Sequence, residues 1–142
     1  MIVSAKTEYA CLAVLTLAAR HSSGEPVRIR EIAAAHGIPA RFLVQILLQL
    51  KGAGLVLSTR GASGGYQLAK APDKITLGEV MNVVDGQSAQ INSSAGVSTP
   101  ATRILLETWK KIAALEREML GEITLASLVQ KLRGQGDGMY YI

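Results

Sequence analysis

The segment Thr59-Arg60-Gly61-Ala62-Ser63-Gly64-Gly65-Tyr66 holds a single arginine on a tip of small residues. Such a tip buries little, so its chemistry is that of a cation presented on a thin loop. A guanidinium placed this way suits a narrow, strongly negative groove such as the minor groove of DNA. Gly61, Gly64 and Gly65 let the loop turn tightly and bring backbone N–H groups near phosphate. The alternative is a plain β-hairpin whose glycines serve the turn alone. A second readable set lies upstream, in Pro39, Ala40, Arg41, Val44, Gln45 and Gln49. Arginine pairs with guanine or phosphate, glutamine pairs with adenine, and Val44 or Ala40 suits a thymine methyl.

Other chemistries find no support. There is no glycine-rich phosphate loop, no metal-spaced histidine pair and no nucleophile elbow. His21 and His36 are the only histidines and fall in no catalytic pattern, so no enzyme is expected. The single cysteine, Cys11, excludes an intrachain disulfide. It equally excludes a zinc site built on four thiolates, or on two thiolates and two imidazoles. It lies on an apolar helix side and reads as a core residue. His36, just before a helix-ending glycine, reads as a surface or capping residue.

The elements that would position these groups follow from periodicity and punctuation. Ala10, Val14, Leu17 and Ala18 recur at helical spacing, with Leu12 and Leu15 broadening the stripe. Ser23 to Pro26 ends that helix. Ile29–His36 is a second, short helix stopped at Gly37, and Pro39 suits the first turn of a third. In that third helix Phe42, Leu43, Ile46, Leu47 and Leu50 form an apolar stripe, closed by Gly52 and Gly54. Ala33 lets the two helices approach, and Gly37 can take the positive φ of a tight turn. The pair is a helix-turn-helix, and the strands expected at Leu55–Thr59 and Tyr66–Ala69 make it a winged one. The groove face of the third helix is then the one bearing Arg41, Val44 and Gln45.

Downstream, Thr76 and Glu79 form a capping box. Residues 86–99 are a polar loop of small residues. Thr99-Pro100 opens the longest helical pattern, with Leu105, Trp109, Ile112, Leu115, Met119 and Ile123 along one face. A short helix over Leu125–Leu132 and a loose tail complete the chain.

The net charge of +4 is unevenly spread: residues 1–70 hold eight Lys/Arg against three acids, and the remainder is close to neutral. The positive half suits a polyanion. No apolar run approaches the roughly 20 residues that span a bilayer. The N-terminus shows no secretory pattern. A cytoplasmic protein is expected.

The runs "IREIAAAHGIPARFLVQILLQLKGAGLV", "STRGASGGYQLAK" and "ITLGEVMNVVDG" closely resemble the Rrf-type winged-helix regulators, which include the IscR, NsrR and CymR kinds. The likeness covers nearly the whole chain, and Arg60-Gly61-x-x-Gly64-Gly65-Tyr66-x-Leu68 is its most specific part. It implies a mainly α fold with a small β-wing. Residues 1–85 form the winged helix-turn-helix domain, and 86–99 replace the family's cluster-binding loop. Residues 100–133 form the dimerisation helix and a short terminal helix, and 134–142 a flexible tail. It implies a homodimer clasped by the long-helix face, acting on palindromic double-stranded DNA, usually as a repressor. The DNA-contacting set adds Arg28, Arg30, Lys51, Ser63 and Tyr66 to the residues above.

Well-known members hold an iron–sulfur cluster on three cysteines of that loop. Here the loop reads "INSSAGVSTP", without cysteine, and serine is a poor cluster ligand. Glu8, where some relatives supply a carboxylate ligand, has no cysteines to join. The expectation is a transcriptional regulator without a metal cofactor, switched by a small-molecule effector or a protein partner. Two alternatives remain: a docking module controlled by a partner protein, and a cluster sensor whose ligands were lost or substituted.

Overall fold

A computed structural model of the chain describes residues 1–86 and 91–139. Helix α1 (Ala5–Ala19) is capped by Ser4, whose Oγ accepts the Thr7 N–H at 3.1 Å. A 3-10 turn and Gly24, in the left-handed region, lead into α2 (Ile29–His36). Gly37 takes φ 65°, and Ile38 N–H donates to Ala33 O at 3.1 Å, closing the tight turn. Helix α3 (Ala40–Gly52) follows, with Pro39 as its N-cap rather than inside its first turn.

Strands β1 (Val56–Thr59) and β2 (Gly65–Leu68) pair antiparallel, with Val56 opposite Leu68 and Thr59 opposite Gly65. Val27 and Tyr66 exchange both backbone hydrogen bonds at 2.8 Å, so the segment before α2 joins the wing edge. Helix α4 (Leu77–Asp85) begins with the expected Thr76–Glu79 capping box. Helix α5 (Pro100–Glu122) is capped by Thr99 and has no buried residue. Helix α6 spans Leu125–Met139. The architecture is therefore mainly helical with a two-stranded wing.

Leu43, Ile46, Leu47 and Leu50 of α3 pack against Ala10, Val14 and Leu17 of α1, with Ile32, Val80 and Leu125 in the same core. Burying each large aliphatic side chain contributes about 1.5–3 kcal/mol, so this cluster dominates the fold. Leu125 and Val129 place α6 in that core, against α1. The terminal helix therefore packs against α1 and shares the core of the winged elements. It also runs to Met139, beyond the expected end near residue 133. Interior glycines at 134, 136 and 138 each cost about 1 kcal/mol in a helix, and the turns anchored by Leu125, Leu128 and Val129 precede them. The tail residues 140–142, and 87–90 of the polar loop, lie outside the described residues.

Two details fix the C-terminal end of α5. Its exit is held by backbone bonds, Leu77 N–H to Ile123 O at 2.8 Å and Leu125 N–H to Ile75 O at 2.9 Å. At Gly78 an added Cβ would come within 3.2 Å of the Leu120 backbone, so α4 and α5 approach closely there. Ile123 is thus the half-buried cap of α5 and not part of its exposed face.

Candidate nucleic-acid interface

Helix α3 buries one side and exposes the other. Leu43, Ile46, Leu47 and Leu50 face the core, while Arg41, Val44, Gln45 and Leu48 are exposed at i, i+3, i+4 and i+7 spacing. That spacing puts the four on one stripe. Leu48 is an addition to the expected set, although its position in the period was legible. Phe42, expected in the apolar stripe, is instead 44 % exposed. It lies one residue, or about 100°, from Leu43, which turns it onto the flank facing α1. Its ring stacks on Tyr9 at 6.1 Å between centroids. Tyr9 and Lys6 thereby flank the start of α3, and nothing local in the sequence points to them.

Gln49 and Lys51 are also exposed, and Lys51 Nζ donates to Ser58 Oγ at 2.7 Å, tying the end of α3 to β1. Pro39 and Ala40 are exposed at the start of α3, and Arg30 is exposed on α2. Arg28 is the half-buried N-cap residue of α2. Arg60, Gly61 and Ser63 are exposed at the wing tip.

The other wing residues also hold the wing together. Gly64 is buried, and its N–H donates to Gly61 O at 3.0 Å, so this amide is spent inside the turn and does not face phosphate. An added Cβ there would overlap Thr59 O. Gly65 has φ 151°, and its Cβ would come within 2.6 Å of Val27 O. Both glycines permit close backbone approach. Tyr66 is half-buried and commits its N–H and C=O to Val27.

Three polar features outside this surface are structural. His36 Nε2 lies 2.9 Å from Thr16 Oγ1, which itself donates to Leu12 O; the ring N–H therefore donates to the hydroxyl and ties α2 to α1. Buried Thr7 donates to Asp85 Oδ1 at 2.6 Å and accepts from Ser4 Oγ at 2.9 Å, joining α1 to the end of α4. Arg20 and Glu31 form an exposed 2.7 Å ion pair, which adds little stability.

Cys11 is half-buried against the core. Burial, with the Asp85 carboxylate second, pushes its thiol pKa up to about 11. At pH 8 about one thiol in a thousand is then ionised, and only the thiolate attacks disulfide reagents. Cys11 should therefore react slowly at pH 8, with its rate climbing toward pH 11. Fast labelling of folded protein at pH 7 would contradict this. The raised pKa favours folding below the free thiol's range, and that contribution is lost as pH rises through about 11.

The family model described as Rrf2, an iron-dependent transcriptional regulator, matches residues 3–131. CymR of Bacillus subtilis is 34 % identical over 143 residues, covering 100 % of each chain. IscR of Vibrio campbellii is 34 % identical over 132 residues, covering 92 % of this chain and 78 % of its own. Among solved structures, CymR, titled the global cysteine regulator of B. subtilis, superposes with a TM-score of 0.80 at 32 % identity, covering 92 % of this chain and 98 % of that one. T. potens IscR gives 0.75 at 32 % identity, covering 93 % and 88 %.

The residues present do not fit the iron centre that the family description implies. Loop residues 91–99 contain no thiol, imidazole or carboxylate. The one thiol is on α1 and held protonated. No group of three His, Cys, Asp or Glu side chains among the described residues is arranged to hold a metal ion. The fold, the winged motif and the full-length likeness nevertheless agree, and the chain belongs to the Rrf2 family of transcriptional regulators.

Proposed function

We propose that the chain is a sequence-specific DNA-binding regulator, a homodimer on a palindromic operator that acts as a repressor without an iron–sulfur cluster. One observation carries the reading: α3 is anchored in the core on one side and offers Arg41, Val44, Gln45 and Leu48 to solvent on the other. In a helix-turn-helix that exposed stripe enters the major groove. Arg60 on its glycine tip is the candidate for the neighbouring minor groove. Arg28, Arg30, Lys51 and Lys70 add salt-dependent affinity by displacing counterions.

The long helix supports pairing. Leu105, Trp109, Ile112, Leu115 and Met119 are 49 to 66 % exposed on α5. Monomers seldom leave so large an apolar patch in water. A second copy packed there would set two recognition helices at a fixed separation, one DNA turn or a multiple of it.

Selection from random duplexes tests the reading. Inverted half-sites separated by whole turns are expected; absence of any selected sequence would remove it. In a gel-shift titration at fixed salt, Arg60→Ala should weaken operator binding by roughly 1–3 kcal/mol. An unchanged Kd would take Arg60 out of the interface.

A further inference from the structure

The Arg41 guanidinium does not extend along the exposed stripe of α3. Its carbon lies 5.0 Å above the Phe42 ring centroid. Phe42 in turn stacks on Tyr9 of α1, 6.1 Å away with 30° between the ring planes. Both separations are within the range of favourable cation–π and aromatic contacts. Arg41 is thereby drawn to the flank of α3, into the cleft between the starts of α1 and α3 that Lys6 also lines. Two cationic side chains line it, and among the described residues no carboxylate does. Gln45 lines the same cleft while remaining exposed, and Val44 and Leu48 stay on the outward stripe.

We infer that Phe42 is a positioning residue that holds Arg41 for a backbone phosphate beside Lys6, leaving base discrimination on this helix to Val44, Gln45 and Leu48. The inference rests on the DNA-binding reading above and decides which of two roles, base or phosphate, Arg41 takes. An arginine that reads guanine imparts sequence preference, whereas one on a phosphate adds affinity to every duplex alike. A ring beneath the guanidinium also restricts the side chain before binding, which lowers the ordering cost of the contact.

The test compares the full-length wild type with Arg41→Ala, Phe42→Leu and Phe42→Tyr. Each is put through random-duplex selection, then titrated on the selected site and its single-base variants across a salt series. Phe42→Leu keeps an apolar side chain but removes the ring, and thermal melting confirms that each variant is folded. All four proteins should select the same bases. Arg41→Ala should lose about tenfold per half-site on every duplex, with a log Kd against log salt slope shallower by about 1.8 for the dimer, about 0.9 for each protomer. Phe42→Tyr should match the wild type. Phe42→Leu should fall between the wild type and Arg41→Ala, equally on all sequences. Relaxed preference at one base pair in Arg41→Ala, with the salt slope kept, would overturn the phosphate role. Wild-type affinity in folded Phe42→Leu would overturn the positioning role. A wild type that selects no duplex at any salt would instead strike the parent reading and take this one with it.

Discussion

Ile112→Glu is expected to leave the winged domain folded while converting the proposed dimer to monomers. Ile112 is 57 % exposed near the middle of α5, and none of that helix's residues is buried within the chain. A carboxylate there costs the monomer little. In a pair of α5 helices it would sit among apolar groups, where burying an unpaired charge is prohibitive. Operator affinity should drop by about 10²–10⁴-fold, the gain that linking two half-site readers supplies. Sedimentation or light scattering checks the assembly, and gel shift the affinity. A dimeric Ile112→Glu protein would place the interface elsewhere.

Gly65→Ala should lower the unfolding free energy by about 3 kcal/mol. The clash is with backbone: the new Cβ would stand 2.6 Å from Val27 O, and no side chain can swing away to relieve it. The residue's φ of 151° adds strain of roughly 1–3 kcal/mol for an L side chain. Relief requires moving Val27 off Tyr66, which loses two hydrogen bonds worth about 0.5–1.5 kcal/mol each. Gly61→Ala is the control. Its φ of 103° is also positive, but nothing lies within 4 Å of an added Cβ. Urea unfolding should show a much lower midpoint for Gly65→Ala at an unchanged m-value. Equal midpoints for the two variants would contradict the steric account.

These glycines show where a sequence speaks and where it does not. A glycine-rich tip after a helix pair identifies a wing. The one-dimensional pattern does not say that Gly64 spends its N–H on Gly61 O or that Gly65 admits the Val27 backbone, because those contacts are set by how the chain folds back on itself. Local signals read well: Gly37 and Pro39 mark the turn, Thr76 and Glu79 the α4 cap, and Thr99 the start of α5. The outward stripe of α3 was legible from its 3.6-residue period. Phe42 was not, since an aromatic at the edge of an apolar stripe fits either the core or a flank, and Tyr9 decides between them. The same limit hid the packing partner of α6, whose period marks an apolar side without naming α1.

The joint at Thr76 and Thr124 has a mechanical consequence. Two backbone hydrogen bonds weld the exit of α5 to the entry of α4. At its other end, the described loop residues bond only among themselves and to the first turn of α5. The long helix is thus a lever with a stiff fulcrum on one side and a tether on the other. In the proposed dimer, rotation of two such levers about each other would swing the winged domains as rigid bodies.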